Sequence, residues 1–232
     1  MSAIPSPPCP RASLPIGIIR PRARAREVLV ARYGIFGGTF DPPHFGHLIL
    51  AAEAHYQLRL DQVWWLLTPQ PPHKQGQPIS PLGVRAQLVS AAINHDPAFV
   101  LSLIEAERPG PHYAVDTLRI LKQHYPQDTL VYLMGGDSLA TLPSWHRAAD
   151  FVALADEIGV MRRPNDRIDW PALTRALPGL KAKVRLIEAP LLEIAAHELR
   201  ARIAQGRPYR YYLPRPVVDL IETYGLYRET RP

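Results

Sequence analysis

Short apolar runs typical of buried β-strands alternate with segments of helical spacing along the chain from residue 31 onward. The strand-like runs are 31–36, 61–68, 99–107, 129–137, 157–163 and 183–189. The helix-like segments are 45–58, 82–93, 113–125, 197–205 and 216–224. For the helix at 82–93, Ser80 is expected as the N-cap and Pro81 as a first-turn residue. Because parallel strands need a crossover connection, this alternation predicts a parallel sheet with helices on both faces.

Two of the predicted strands end in pairs of glycines, Gly37-Gly38 and Gly135-Gly136. The fold class expected from the alternation is α/β, with a Rossmann-like doubly wound parallel sheet. Ligands of such sheets bind beyond the carboxyl ends of the strands. Both glycine pairs are therefore expected to line one crevice.

Residues 1–30 differ in composition from the rest of the chain. They are rich in proline and arginine and have no periodic apolar face, so we expect a disordered tail, followed by a single domain over residues 31–232. Residues 1–27 contain five arginines and one glutamate, so they hold +4 of the formal net charge of +6 and leave +2 for the remainder. An extension without a function of its own is the preferred interpretation, and an organellar transit peptide is the alternative.

Composition argues against several classes of function. A net charge of +2 beyond the tail does not favour nucleic-acid binding. No apolar run approaches the ~20 residues that span a bilayer, so we expect no membrane association. Cys9 is the single cysteine, which precludes an intrachain disulfide and a cysteine-based zinc site and makes a reducing cytoplasm the expected location. The sequence leaves homo-oligomer formation open.

The segment 34–48, GIFGGTFDPPHFGHL, combines glycines, prolines and two histidines at the end of the first predicted strand. Gly37 and Gly38 have no side chains to keep their backbone N–H groups away from a ligand. Two prolines lead into a helix near His44, and a helix N-terminus favours phosphate through its unpaired N–H donors and partial positive charge. His44 and His47 project from one face of the first turn. The segment therefore predicts a phosphate cradle with two imidazole donors at its edge.

Three other interpretations of this segment are weaker. Zinc binding would need a third ligand and the HExxH spacing, which HFGH does not have. A dinucleotide site would need GxGxxG, whereas the chain has GGTFDP. A structural role is common for histidine pairs in general, but the glycines, the prolines and the helix start argue against it here.

The same segment resembles the signature of a known family. GGTFDPPHFGH is similar to the (T/H)xGH motif of the nucleotidyltransferase superfamily, and residues 33–227 as a whole resemble the bacterial nicotinate-nucleotide adenylyltransferases. Three further stretches carry the resemblance: TPQPPHK at 68–74, GPHYAVDTL at 110–118 and MGGDSLATLPSWH at 134–146. The last stretch separates this family from the pantetheine-phosphate adenylyltransferases and the cytidylyltransferases.

The resemblance implies a reaction and its substrates. ATP and nicotinate mononucleotide would give deamido-NAD and pyrophosphate, with Mg²⁺, by direct in-line attack and without a covalent intermediate. The attacking phosphate monoester is already anionic at neutral pH, so no general base is required, and catalysis would rest on alignment and on charge stabilisation. No serine or cysteine nucleophile system is evident in the sequence, and no protein side chain is expected to bind the metal.

The resemblance also implies roles for individual residues. Those expected to stabilise the transition state are His44, His47 and Lys74. Those expected to contact ATP are Gly37, Gly38, Thr39, Phe40, Gly135, Asp137, His197 and Arg200. Those expected to contact the acceptor are Tyr113, Thr117 and Trp145, whose indole would stack on the pyridine ring.

Several of these residues have structural alternatives. Lys74 would then be a solvated loop lysine, Asp137 the N-cap of a short helix, and Trp145 a core residue. Trp64 and Trp65 lie within a strand pattern and are assigned to the core.

The chain departs from the family pattern in two places. Where the family has Ile-Ser-Ser-Thr-x-Ile-Arg, residues 194–200 read IAAHELR, so Arg200 is retained while Ala195 and Ala196 replace the serines. His197 replaces the threonine and is the nearest candidate to replace the lost hydroxyls, beside the backbone N–H groups of the helix start. Ala114 stands where a threonine is frequent beside the pyridine site, which bears on the preference for nicotinate over nicotinamide.

Two alternative functions remain at this point. One is a related adenylyltransferase that uses another phosphorylated acceptor, such as nicotinamide mononucleotide or phosphopantetheine. The other is a nonenzymatic nucleic-acid or regulatory protein built on this fold, for which the basic tail and the lost serines are the arguments.

Overall fold

The computed structural model of the protein describes residues 30–71, 76, 78–161, 168–190 and 192–228. The described strands form one six-stranded sheet in the order β3-β2-β1-β4-β5-β6, with all neighbours parallel. In chain order they are β1 (Arg32–Gly38), β2 (Gln62–Leu67), β3 (Phe99–Ser102), β4 (Thr129–Gly135), β5 (Glu157–Met161) and β6 (Val184–Ile187). The α/β fold predicted from the sequence is confirmed. The expected disordered tail, residues 1–30, lies outside the described residues apart from Val30.

Helices connect the strands and extend beyond the last of them. In chain order they are α1 (Phe45–Gln57), α2 (Leu82–Ile93), α3 (Ala114–His124), α4 (Gly136–Thr141), α5 (Ala148–Leu154), α6 (Trp170–Ala176), α7 (Leu180–Lys183), α8 (Ala196–Ala204) and α9 (Arg215–Tyr224). Short 3₁₀ helices cover Ile104–Glu107, Leu142–Ser144 and Arg210–Tyr212. Within the described ranges, no helix has the length and apolar character needed to cross a membrane.

Two expectations about these elements were wrong or incomplete. The strand expected over 99–107 ends at Ser102, because the chain then turns into a 3₁₀ helix in which the Ala106 N–H donates to the Leu103 carbonyl. The sequence pattern also missed α5, α6 and α7, which have 7, 7 and 4 residues. A helix of two turns or fewer is too short to display a helical period.

The start of α2 also differs from the expectation. Pro81, not Ser80, occupies the N-cap position. Ser80 uses its backbone instead: its N–H donates to Asp41 Oδ2 at 3.0 Å, and its carbonyl accepts from Arg85 Nε at 2.8 Å. One long-range bond to Asp41 and one local bond from Arg85 therefore replace the cap that the sequence suggested.

The core lies on both faces of the sheet. Side chains of α1 and α2 cover one face, and side chains of α3 to α7 cover the other. Trp64 and Trp65, adjacent on β2, point to opposite faces and are both fully buried, which confirms their assignment to the core. A third cluster packs α8 and α9 against the outer side of α2. The last two helices are thereby held beside the segment that connects β2 to α2.

The strand order places a crevice at the ends of β1 and β4. β1 pairs with β2 on one side and with β4 on the other, so the chain leaves the two central strands in opposite directions. The register pairs Ile35 with Tyr132, which brings the glycines that end these strands, Gly38 and Gly135, to the same edge of the sheet. Ligands of doubly wound sheets bind at this position.

Close packing at Gly159 gives a test of this sheet. A Cβ atom there would lie 2.8 Å from Leu133 Cδ2, 2.9 Å from Leu58 Cδ1 and 3.1 Å from Ile187 Cδ1. We expect Gly159→Ala to lower the free energy of unfolding by about 1 kcal/mol or more in urea denaturation, since these side-chain ends must move. Gly83→Ala on α2 is the control, because no atom lies within 4 Å of its Cβ position and alanine favours a helix. Equal effects of the two changes would contradict the packing.

Candidate active site

The loop after β1 is held by a buried aromatic ring. Phe40 has a φ of 46° and is 2% exposed, with its ring against Phe36 and Trp65. A Cβ atom at Gly38 would lie only 2.9 Å from this ring, so the position has no room for a side chain. Since Gly37 and Gly38 have no side chains and the Phe40 side chain points into the core, contacts from these three residues to a ligand must come from the backbone. This agrees with the main-chain role that the sequence suggested for the glycine loop, residues 37–40.

The two histidines cap α1 reciprocally. His44 is the N-cap and 3% exposed, and its backbone N–H donates to His47 Nδ1 at 3.2 Å. Their rings are stacked, with centroids 3.7 Å apart. Because His47 Nδ1 accepts this bond, the imidazole is neutral and carries its proton on Nε2, which makes Nε2 a donor. The pair therefore presents a fixed imidazole donor at the start of α1.

The N-termini of α1 and α8 meet at Gly46. A Cβ atom at Gly46 would lie 3.1 Å from the His44 ring and 3.8 Å from Ile194 Cβ. Ile194 precedes Ala195, the N-cap of α8, whose side chain offers no hydrogen bond to the helix. Two helix N-termini thus converge beside the glycine loop. Because each has backbone N–H groups without an intrahelical acceptor, the arrangement suits a polyanion.

Arg200 joins α8 to the loop after β1. Its Nη1 donates to the Asp41 carbonyl at 2.8 Å across 159 positions of sequence. His197 lies in the first turn of α8 and is exposed. The structure therefore brings Arg200 to the chain next to the glycine loop, while the ATP contact expected of His197 stays a prediction.

The end of β4 supplies the other wall of the crevice. Gly135 is the N-cap of α4, and Asp137 lies in the first turn, exposed, with Oδ1 accepting the Ser138 N–H at 2.9 Å. The alternative interpretation of Asp137 as the N-cap is therefore wrong, since Gly135 holds that position. A carboxylate at the carboxyl end of a central strand is well placed for hydroxyl groups of a nucleotide.

Aromatic side chains from two connections meet on the β4 side of the sheet. Tyr113, the N-cap of α3, stacks on His146 with ring centroids 4.1 Å apart. Trp145 is half-buried and packs edge-on against Phe151 at 5.3 Å and Tyr132 at 6.1 Å. The structure thus brings together Tyr113 and Trp145, two of the three residues expected at the acceptor site.

Thr117, the third of these residues, is occupied within the fold. It is 2% exposed, its hydroxyl donates to Glu105 Oε1 at 2.6 Å, and it accepts from Arg108 Nη2 at 2.9 Å. Arg108 Nη2 also donates to the Tyr113 carbonyl at 3.3 Å. These contacts argue against the direct contact with the acceptor substrate that was expected of Thr117. They indicate that Thr117 holds the start of α3.

Tyr132 contributes a neutral hydroxyl that the sequence did not single out. A Cβ atom at Gly37 would lie 3.0 Å from the Tyr132 hydroxyl oxygen, so this phenol abuts the strand that leads to the glycine loop. Burial, reinforced by the nearby Glu105 carboxylate, raises the pKa of Tyr132 above its usual range. The hydroxyl therefore stays protonated and adds no charge beside the crevice.

A buried arginine joins the segments around the site. Arg85 on α2 is 2% exposed and donates to four backbone carbonyls: Nε to Ser80 at 2.8 Å, Nη1 to Thr39 at 3.0 Å and Thr68 at 2.9 Å, and Nη2 to Pro69 at 3.2 Å. The glycine loop, the end of β2 and the start of α2 are thereby fixed relative to one another.

Sequence reasoning missed Arg85, although its spacing carried a signal. Arg85 lies three positions before Leu88 and four before Val89, both buried, which places it on the apolar face of α2. Lys74, expected to bind phosphate, lies outside the described residues. Among the residues that the structure describes, no group of three or more histidine, cysteine or acidic side chains could hold a metal ion.

Known proteins resemble this chain in sequence. Residues 35–202 match the family model described as cytidylyltransferase-like. A protein of Thermomicrobium roseum named probable nicotinate-nucleotide adenylyltransferase is 43% identical over 199 residues, covering 86% of this chain and 92% of the relative. The nicotinate-nucleotide adenylyltransferase of Bacillus subtilis is 39% identical over 196 residues, covering 84% of this chain and 98% of the relative.

A solved structure resembles the fold as well. The nicotinic acid mononucleotide adenylyltransferase of Plasmodium falciparum, complexed with NaAD, matches with a TM-score of 0.72 and 20% sequence identity. The match covers 85% of this chain and 97% of the other. At this identity the likeness speaks for the fold, in agreement with the sheet order.

Removing the Arg85 guanidinium tests whether the site segments depend on it. We expect Arg85→Met to lower the free energy of unfolding by about 3–5 kcal/mol, since four buried carbonyls lose their donors. Arg85→Lys keeps the charge but cannot span the carbonyls, so its loss should be intermediate. The control is Arg119→Met, which breaks a half-exposed ion pair with Asp116 and should cost roughly 0–1 kcal/mol. Chemical denaturation would contradict this account if Arg85→Met and Arg119→Met were equally stable.

Proposed function

The chain belongs to the nicotinate-nucleotide adenylyltransferase family, and we propose from that premise that it transfers the adenylyl group of ATP to nicotinate mononucleotide, giving deamido-NAD and pyrophosphate. The observation that carries the proposal is the convergence of the N-termini of α1 and α8 beside a glycine loop, with the His44–His47 pair at the junction. That arrangement suits a triphosphate at the carboxyl edge of a doubly wound sheet.

ATP binding is assigned to the residues around this junction. The backbone N–H groups of residues 37–40 and the first turns of α1 and α8 would hold the phosphates, where the helix dipoles favour negative charge. Arg200, in the second turn of α8, has further N–H donors besides the one on the Asp41 carbonyl, and His197 is exposed in the first turn. Asp137, at the end of β4, would accept hydrogen bonds from ribose hydroxyls.

The reaction needs positioning more than proton transfer. A phosphate oxygen of the mononucleotide attacks the α-phosphorus of ATP, the new P–O bond forms as the bond to the bridging oxygen breaks, and pyrophosphate leaves with that electron pair. The nucleophile is anionic at neutral pH, so no base is needed. The protonated Nε2 of His47 and the helix N-termini would stabilise the charge that develops on the α-phosphate and the leaving group.

Mg²⁺ is best described as part of the substrate, MgATP. The carboxylate nearest the histidine pair in sequence, Asp41, is 3% exposed and both its oxygens accept hydrogen bonds, from Ser80 N–H and from the Tyr227 hydroxyl. It is therefore poorly suited to metal coordination. Phosphate oxygens would hold the ion, which neutralises charge on the departing pyrophosphate. A reducing cytoplasm, the location inferred from the single cysteine, contains both ATP and Mg²⁺.

The acceptor is assigned to the aromatic side of the crevice. Trp145 is half-buried, lies at a steep angle to the rings of Phe151 and Tyr132, and would stack on the pyridine. The Tyr113–His146 stack holds the N-terminus of α3 next to Trp145, and Ala114 is the first residue of that helix. A nicotinate carboxylate is favoured there over a neutral amide, because the backbone N–H groups and dipole of α3 attract an anion without needing the family's threonine hydroxyl.

A product assay tests this function. The protein is incubated with ATP, Mg²⁺ and nicotinate mononucleotide, and deamido-NAD and pyrophosphate are measured by chromatography. Parallel reactions contain nicotinamide mononucleotide or phosphopantetheine as the acceptor. We expect product with nicotinate mononucleotide and a lower kcat/KM with the other two. A higher kcat/KM with either alternative would contradict the acceptor assignment, and no product with any acceptor would contradict the activity.

His47→Ala tests the imidazole donor. We expect kcat to fall about 10²–10³-fold, as for other preorganised donors. The free energy of unfolding should fall by only about 0.5–2 kcal/mol, the usual cost of one lost helix cap, because His47 Nδ1 accepts the His44 N–H. His55→Ala, near the other end of α1, is the control and should keep the wild-type kcat. Near-normal turnover of His47→Ala would remove the residue from the mechanism. His44→Ala is less informative, since His44 is buried and caps the helix.

Trp145→Ala tests the pyridine platform. The KM for nicotinate mononucleotide should rise about tenfold to a hundredfold, the usual loss for one aromatic stack, while the KM for ATP stays near wild type. Trp170→Ala on α6, another half-buried indole, is the matched control and should change neither KM. If Trp145→Ala raises both KM values equally, its effect is on the fold.

A further inference from the structure

Tyr227, near the C-terminal end of the chain, reaches the loop after β1. It follows α9 in a segment where Gly225 and Tyr227 have positive φ values of 60° and 62°, so the chain folds back towards the sheet. The Tyr227 hydroxyl donates to Asp41 Oδ1 at 2.6 Å, across 186 positions of sequence. Asp41 lies three residues before His44 in the segment that leads into α1.

Asp41 is the junction of three separate segments. Besides the bond from Tyr227, its Oδ2 accepts the Ser80 N–H at 3.0 Å, and its carbonyl accepts Arg200 Nη1 at 2.8 Å. Asp41 is 3% exposed, so solvent contributes little to these contacts. The orientation of the residue, and of the Arg200 guanidinium on its carbonyl, therefore depends on these protein donors.

The charge at this junction is buried and compensated. Burial lowers the pKa of the Arg85 guanidinium. The nearby Asp41 carboxylate opposes that lowering. Burial raises the pKa of the Tyr227 hydroxyl, and the Asp41 carboxylate raises it further. Tyr227 therefore remains a donor, and loss of its hydroxyl would leave a buried carboxylate oxygen with one fewer hydrogen bond.

We propose that Tyr227 is a positioning residue for ATP: through Asp41 it sets the placement of Arg200 and of the loop that enters α1. The proposal rests on the function proposed above. Tyr227 contacts neither the reacting atoms nor the residues assigned to the acceptor substrate. Its loss should therefore change the binding of ATP and not that of the mononucleotide. The C-terminal segment thereby supports the nucleotide site in addition to packing against α2.

The chain offers a matched control for this proposal. Tyr224, three residues earlier, also has a hydroxyl bonded at 2.6 Å, to Gln87 Oε1 on α2. Tyr224→Phe therefore removes a tyrosine hydroxyl from the same C-terminal region without disturbing Asp41, and this hydroxyl belongs to an exposed side chain bonded to a neutral amide. Any effect shared by Tyr224→Phe and Tyr227→Phe reports on the packing of the C-terminal helix.

The experiment measures KM for each substrate, kcat and the melting temperature of wild type, Tyr227→Phe and Tyr224→Phe. We expect Tyr227→Phe to raise the KM for ATP roughly three- to tenfold, which is no more than the usual effect of one lost hydrogen bond to a charged group. The KM for the mononucleotide should not change. Tyr224→Phe should match wild type in both. An ATP KM for Tyr227→Phe equal to that of Tyr224→Phe, or an equal rise in both KM values, would overturn the proposal.

A binding measurement separates this proposal from the function it rests on. Calorimetric titration of a nonhydrolysable ATP analogue should show the same weakening in Tyr227→Phe as the KM, and Tyr227→Leu should weaken binding at least as much. Unchanged analogue affinity in both variants would overturn the role of Tyr227 while leaving the activity intact. Absence of product in the wild-type assay would instead contradict the function itself.

Discussion

A guanidinium group out of reach of water must place its N–H donors on protein acceptors, and Arg85 places them on four backbone carbonyls. Those carbonyls belong to the glycine loop, to the chain leaving β2 and to the chain entering α2. The ladder between β1 and β2 ends here, with the Thr68 N–H on the Gly38 carbonyl, and Arg85 fixes the chain beyond that point. Asp41, buried beside it, extends the same support to α8 and the C-terminal segment.

This support explains how a site made of backbone can be rigid. The glycine loop has little side-chain packing of its own apart from the buried Phe40 ring, and the first turns of α1 and α8 offer only N–H groups and a dipole. Such donors stabilise a transition state only if they are already in place. Ala195 and Ala196 bring no side-chain donor to the start of α8, so only backbone N–H groups are available from these two residues.

The sequence predicted those parts of the site that are local. The segment 34–48 indicated a strand, a glycine turn and a helix start with two histidines, and all three are present because each depends on neighbouring residues. The hydrogen bond from Thr117 to Glu105 could not be predicted, since it arises from tertiary contact, and the substrate contact expected of Thr117 stays a prediction. Arg85 escaped notice because arginine is seldom fully buried, and Tyr227 because its partner lies 186 positions away. Contacts of that kind have no periodic signature.

We propose that this chain catalyses adenylyl transfer by alignment, in one direct displacement at the α-phosphorus. The stereochemical course of the reaction tests it most directly. The enzyme is given ATP with a single configuration of sulfur at the α-phosphate, and the configuration in the dinucleotide product is determined by phosphorus NMR. A single in-line attack predicts inversion. Retention would require two successive displacements through a covalent adenylyl-enzyme, and would contradict the account.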